Sequence, residues 1–249
     1  MKAFKACSIL ILLLPVLFSC KAGAEREKPL IVVSIYPYEL LVKELVGSAA
    51  DVISIIPPAA SPHDWSPNPS NLSALSKAKL IIINGLDLEQ SLNQALRQHQ
   101  DKLLVISELI RFKPDSLYAD DPEHSGAPDP HIWTSVNYLQ RMVDALEPEL
   151  RSRFSELADS ISASSLRVRS GLKEVDSQIR AEVSSFKDPA IITYHNSFGY
   201  FLKDYGIRHL ASVQSAPGKE PGPRELGELG RLIKARGLKA IFVEPQMSR

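Results

Sequence analysis

Three of the six histidines in this 249-residue chain stand where an imidazole could bind a metal ion. His63 and His131 share a short motif, because each follows a proline and each is followed two residues later by a tryptophan, Trp65 or Trp133. His195 comes directly after an apolar run. Proline restricts the backbone, and tryptophan can shield one face of the ring from water. Three neutral imidazoles on such segments suit Zn²⁺, at about 2.0–2.1 Å per bond.

The spacing of these histidines requires the fold to assemble any shared site. His131 lies 68 residues after His63 (131 − 63), and His195 lies 64 residues after His131 (195 − 131). Both separations are far longer than those of a zinc finger. Polar side chains close to them in sequence are candidates to accept hydrogen bonds from the rings and fix their tautomers: Asp64, Asp129 and Asn196. On spacing alone, the three histidines could equally occupy separate surface or core positions.

The other histidines fit ordinary structural roles. His99 lies among polar residues at a predicted helix end, and His209 opens a predicted strand. His124 stands in the acidic, proline-rich segment 113–130, and a weak accessory metal contact is its alternative role.

A long amphipathic helix is predicted to position the candidate ligands. Between Arg151 and Phe186, apolar residues recur every three or four positions, which is the period of a helix with one buried face. No proline lies between Pro148 and Pro189, and the only glycine is Gly171. At about 1.5 Å per residue, thirty helical residues span roughly 45 Å, so this helix is predicted to join two lobes as a strut.

Short apolar runs alternate with helical patterns on both sides of the strut. Four strands are predicted before it, at 30–36, 51–56, 80–84 and 103–107, and three after it, at 190–193, 209–213 and 239–243. Alternation of this kind predicts parallel sheets flanked by helices, an α/β fold. The Pro57–Pro69 segment, with five prolines, follows the second strand as a stiff loop at the edge where such sheets bind ligands.

The predicted organisation is therefore an N-terminal lobe at 29–147, a linking helix at 148–187 and a C-terminal lobe at 188–249. The last lobe is expected to be incomplete, because a further helix and strand would be needed to match the first.

The first twenty residues are predicted to be a secretory signal peptide, with a positive end followed by an apolar run. Leu17 to Cys20 resembles the lipobox of bacterial lipoproteins, which predicts cleavage before Cys20 and a lipid anchor on it; an ordinary cleaved signal is the alternative. Residues 21–28 are charged and suit a tether. The mature chain would lie outside the cytoplasmic membrane, attached by lipid.

Lys plus Arg and Asp plus Glu are both 29, and this balance gives no indication of a nucleic-acid partner.

Several segments together resemble the metal-binding receptor proteins of bacterial zinc and manganese ABC importers, the ZnuA/TroA-like family. They occur in family order over nearly the whole mature chain: Val33–Pro37, Ile56–Ser70 (IPPAASPHDWSPNPS), Ala78–Gly85 (AKLIIING), Asp129–Trp133 (DPHIW), Thr193–Tyr200 (TYHNSFGY) and Phe242–Gln246 (FVEPQ).

The resemblance implies two α/β lobes joined by one long helix, with His63, His131 and His195 as metal ligands. Manganese-binding members usually carry a carboxylate at the third position, so His195 favours zinc over manganese. The residues around the ligands are expected to include Asp64, Trp65, Trp133, Asn196 and Glu244. Many members carry a fourth, acidic ligand beyond the segment that matches Glu244, and without it the fourth position falls to water or to a nearby carboxylate. The expected partners are ABC permease subunits.

The favoured hypothesis is thus a lipid-anchored receptor that captures Zn²⁺ between its lobes and is not an enzyme. A manganese receptor of the same family is one alternative. A zinc hydrolase is another, because a three-histidine site can activate water, although the sequence shows neither an HExxH nor a GxSxG motif. A surface adhesin or a relative that binds no metal is the third.

Overall fold

The computed structural model describes residues 28–113, 128–214 and 219–244. The predicted signal peptide with Cys20, the tether apart from Lys28 and most of the acidic segment with His124 lie outside the described residues.

The N-terminal lobe is built on a four-stranded parallel sheet, as predicted. Its strands are β1 (Leu30–Val33), β2 (Asp51–Ser54), β3 (Leu80–Ile83) and β4 (Leu103–Val105), in the order β2-β1-β3-β4. All four residues of β3 are buried, as expected for a central strand of a parallel sheet covered on both faces. The carboxyl ends of all four strands therefore lie at one edge of the sheet.

Four helices accompany this sheet: α1 (Tyr36–Val46), α2 (Pro69–Lys77), α3 (Asn93–Leu96) and α4 (Ile106–Leu109). The N-cap of α2 is Asn68. Its side chain accepts hydrogen bonds from the backbone N–H groups of Ser70 and Asn71, and Pro69 starts the helix. Helix α3 is only four residues long and lies between two 3₁₀ segments, Gln90–Leu92 and Arg97–Lys102.

The long helix begins later than predicted. Helix α5 (Val136–Arg153) continues through Pro148 and ends at Phe154, whose backbone (φ −128°, ψ 61°) is not helical. After a 3₁₀ turn, α6 runs from Ala158 to Ser184. Phe154 is buried and extends the apolar period across the break, so the spacing of apolar residues did not reveal it.

Helix α6, about 40 Å long at 1.5 Å per residue, packs along both α5 and α1. Its first half is embedded, with Ile161 fully buried. Arg169 reaches across to α5, where its guanidinium donates to Asp144 and Glu147 at 2.6 Å each. The second half of α6 carries the contacts to the C-terminal lobe.

The C-terminal lobe contains a parallel pair, β5 (Ala190–Thr193) and β6 (Arg208–Ser212), with helices α7 (Gly199–Tyr205) and α8 (Pro223–Arg236). The strand predicted at 239–243 is present only as a single parallel bridge between Thr193 and Phe242 in the part of the chain described. Phe242 and Val243 are about half exposed, and α8 has no buried residue. This lobe is less completely packed than the first.

Within the described ranges, no helix has both the length and the apolar character needed to span a bilayer.

The packing of α6 predicts which of its side chains stabilise the fold. Replacing the fully buried Ile161 by alanine is expected to lower the free energy of unfolding by about 2–5 kcal/mol, because a cavity is left between helices. The matched control is Leu166→Ala on the same helix, where the side chain is 65% exposed and the change should stay within roughly 0.5 kcal/mol. Urea unfolding followed by circular dichroism measures both, and equal losses would show that the buried face is assigned wrongly.

Candidate metal centre

Three separate segments bring His63, His131 and His195 together. His63 lies in the proline-rich segment that follows β2, and His195 comes directly after β5. His131 immediately precedes the 3₁₀ turn Ile132–Thr134, which leads into α5. The carboxyl edges of the two sheets therefore face each other across the site, where ligands of parallel sheets collect.

The ring nitrogens of the three histidines stand at metal-binding separations. The Nε2 atom of His131 lies 3.4 Å from Nε2 of His63 and 3.3 Å from Nε2 of His195. One ligand atom from each ring lies within 4.8 Å of the others. Bonds of 2.0–2.1 Å in a tetrahedral arrangement separate two ligand nitrogens by roughly 3.3–3.4 Å. The site therefore has the dimensions of a three-histidine metal site, and no other such group occurs among the described residues.

The Asp129 carboxylate fixes the orientation of His131. Its Oδ1 accepts from the His131 backbone N–H at 2.9 Å and pairs with the ring Nδ1 at 2.6 Å. Asp129 is fully buried and His131 is 3% exposed, so water cannot readily replace this contact. A proton on Nδ1 leaves the lone pair of Nε2 directed at the other rings, which is the tautomer that binds a metal.

Buried hydrogen bonds hold the Asp129–His131 segment in place from both lobes. From the N-terminal lobe, the Asn84 side chain donates to the carbonyl of Pro130 at 3.0 Å. Tyr38 donates in turn to the Asn84 side-chain oxygen. From the C-terminal lobe, the Tyr200 hydroxyl donates to the carbonyl of Asp129 at 2.8 Å.

The Glu89 carboxylate holds the backbone on which Asn84 lies. Its two oxygens accept from the backbone N–H groups of Asn84 at 2.8 Å and Gly85 at 3.1 Å. Burial raises the pKa of the Glu89 carboxyl, and these hydrogen bonds oppose that rise. Gly85 has φ +78°, and a Cβ there would lie 2.4 Å from the Ser107 hydroxyl, so only glycine fits this turn.

His63 is the most exposed of the three rings. Its backbone N–H is held by the Ser61 hydroxyl at 3.3 Å. Asp64 is exposed, and Trp65 packs against the N-terminal core rather than on the cavity wall. The two tryptophans of the repeated motif therefore differ, because Trp133 does contact its histidine: its ring lies 5.1 Å from that of His131 at 62°.

The segment after β5, residues 195–197, is polar and buried. His195, Asn196 and Ser197 are each at most 5% exposed. The Ser197 hydroxyl donates to Oε1 of Glu244, which comes alongside because Phe242 pairs with β5. Ser197 and Glu244 border a cavity of about 380 Å³ together with the three imidazoles, Trp133 and Phe201, whereas Asn196 is buried but does not line it.

Sequence reasoning missed the residues that support His131, namely Tyr38, Asn84, Glu89 and Tyr200. Asn84 offered a signal, because it is a polar residue that directly follows the apolar strand β3 at the ligand-binding edge. The remaining described histidines lie away from the cavity. His209 contacts the Thr193 hydroxyl at 2.9 Å, and His99 lies inside the 3₁₀ segment Arg97–Lys102 that follows α3.

Comparisons with known proteins identify relatives of this chain in sequence and in fold. The family model of ZnuA, zinc-uptake complex component A periplasmic, matches residues 31–249. The high-affinity zinc uptake system protein ZnuA of Bacillus subtilis is 25% identical over 236 residues, which cover 90% of this chain and 73% of that protein. A putative metal-binding protein of Thermotoga maritima is 31% identical over 217 residues, covering 87% of this chain and 75% of that protein.

A crystal structure of ZnuA superposes on this fold with a TM-score of 0.79 and 25% identity, covering 89% of this chain and 84% of that one. Since the family model extends over nearly all of the described residues and the two-lobe fold is shared, the chain belongs to the family of zinc-uptake complex component A.

Proposed function

We propose that this protein is an extracytoplasmic receptor that captures Zn²⁺ between its two lobes and delivers it to an ABC permease. His63, His131 and His195 are the proposed ligands. The observation that carries the proposal is the convergence of three distant parts of the chain, which places Nε2 of His131 3.4 Å from that of His63 and 3.3 Å from that of His195. Separate surface or core histidines would have no reason to converge in this way.

Zinc is proposed rather than manganese because of the ligand type. Imidazole nitrogen suits Zn²⁺, whereas Mn²⁺ prefers carboxylate and other oxygen ligands. All three closely grouped ligand atoms of the cavity are imidazole nitrogens. Zinc in this proposal is cargo, so its binding must be reversible. We propose that the site serves transport, and that its fourth coordination position is not used to activate water for catalysis.

The proposed location follows from the amino-terminal sequence and from the family. A signal peptide over residues 1–20 would direct the chain across the cytoplasmic membrane, and lipid on Cys20 would retain it there. The residues 21–28 would then act as the tether between the lipid and β1. The family description, a periplasmic component of a zinc-uptake complex, supports a permease as the partner.

The triple substitution of His63, His131 and His195 by alanine is expected to abolish stoichiometric zinc binding, because the ion loses all its imidazole ligands. Elemental analysis and titration calorimetry of the purified protein measure the binding. His99→Ala is the matched control and should bind one zinc ion as the unmodified chain does. Tight binding that survives the triple substitution would end the proposal, and so would ester or peptide hydrolysis that disappears on chelation.

Asp129→Asn is expected to weaken zinc binding about 10- to 100-fold, because the amide no longer holds the Nδ1 proton of His131 as strongly. Asp64→Asn is the control, since Asp64 is also close to a ligand in sequence but is exposed. Competition with a chromophoric chelator measures both affinities. If the Asp64 variant lost as much affinity as the Asp129 variant, the assigned role of Asp129 would be wrong.

A further inference from the structure

Glu244 is a buried carboxylate on the wall of the three-histidine cavity. The residue is 8% exposed and borders the same space as the three rings. Ser197 donates to its Oε1, while Oε2 is buried and has no hydrogen-bond partner among the residues that the structure describes. A buried carboxylate oxygen without a partner is costly, so such a group usually faces a ligand or a cation.

The backbone places Glu244 beside His195. Phe242 forms a parallel bridge with Thr193, the Tyr194 N–H donates to the Phe242 carbonyl at 2.6 Å, and the Phe242 N–H donates to the Ile192 carbonyl at 3.0 Å. Two residues further along each segment, Glu244 and His195 reach the same edge of the sheet. The carboxylate is thus brought to the site by the same pairing that extends β5.

A divalent ion bound by the three histidines would favour an anionic group on the cavity wall. Three neutral imidazoles leave the full charge of a divalent ion uncompensated, and a zinc site with three protein ligands keeps a fourth position for water. The only ligand atoms grouped within 4.8 Å in the described residues are those of the histidines, so Glu244 stands outside that group. The cavity of about 380 Å³ can hold water between the ion and the wall.

We propose that Glu244 is the anionic group of the zinc site: Oε2 accepts a hydrogen bond from the water in the fourth coordination position, and the carboxylate offsets the charge of the ion. Ser197 holds Oε1 and thereby turns the other oxygen towards the cavity. This inference rests on the proposed function, because it assumes that the three histidines bind zinc.

The test is the zinc affinity of full-chain variants, measured by competition with a chelator at fixed pH. Glu244→Gln, which keeps the shape and removes the charge, is expected to weaken binding about 10- to 100-fold, the effect typical of groups around a metal's direct ligands. Glu244→Asp, which keeps the charge, is expected to bind more tightly than the glutamine variant. Glu228→Gln on the exposed surface of α8 is the control and should match the unmodified chain.

A glutamine variant that binds zinc within twofold of the unmodified chain would overturn the inference, and so would an aspartate variant weaker than the glutamine variant, because shape rather than charge would then matter. The unfolding midpoint without zinc checks that both variants fold. If the glutamine variant does not fold, the aspartate variant decides: binding within tenfold supports the inference, and a greater loss overturns it. Failure of the unmodified chain to bind zinc would instead refute the proposed function itself.

Discussion

The structure depends on holding three imidazole nitrogens close together without help from the rings themselves. Neutral imidazoles whose lone pairs face a common centre repel one another unless a cation or a proton lies between them. The separations of 3.3 and 3.4 Å between Nε2 atoms must therefore be imposed by the surrounding protein. Two parallel sheets impose them, because their carboxyl edges face each other, and α6 packs along the first lobe while its far end contacts the second. Arg180 on α6 donates to the Asp204 carbonyl of α7 at 3.1 Å, which ties the helix to the segment after His195.

Buried hydrogen bonds around Asp129 and Ser135 fix the geometry of the site, and they offset part of the water that these groups lose on burial. Asp129 accepts from both the backbone and the ring of His131, and its own carbonyl accepts from Tyr200. Ser135 caps α5 by accepting from the Tyr138 N–H and donates to Asp204 of α7 at 2.5 Å, so one hydroxyl both starts a helix and joins the lobes. Partial satisfaction of such a network would cost more than an apolar replacement, which explains why the polar groups occur in connected sets rather than singly.

The sequence predicted the parts of the fold that have a local signal. Features with a pattern within a few residues could be found: the four strands of the first sheet, the proline-rich loop and the three histidines. The predicted α/β fold is confirmed. The break between α5 and α6 was missed because Phe154 continues the apolar period through a non-helical backbone. The residues that support the His131 segment could not be found from the sequence, because only the fold brings them there. Asn84 binds the carbonyl of Pro130, 46 residues away, and Tyr200 binds the carbonyl of Asp129, 71 residues away.

The distribution of these contacts limits how the site can open. His131 is held by both lobes, and His131 and His195 are each 3% exposed. The rings of Phe112, Tyr138 and Tyr200 pack together at the interface between the lobes, with centroids 5.3–5.9 Å apart. His63 is more exposed and lies on a segment without helix or strand. Movement of that segment separates one ring from the other two and leaves the buried network intact, whereas tilting the lobes would break the bonds of Tyr200 and Ser135. For the proposed zinc ion, the path of least cost is therefore past His63, on a segment whose backbone the neighbouring prolines restrict.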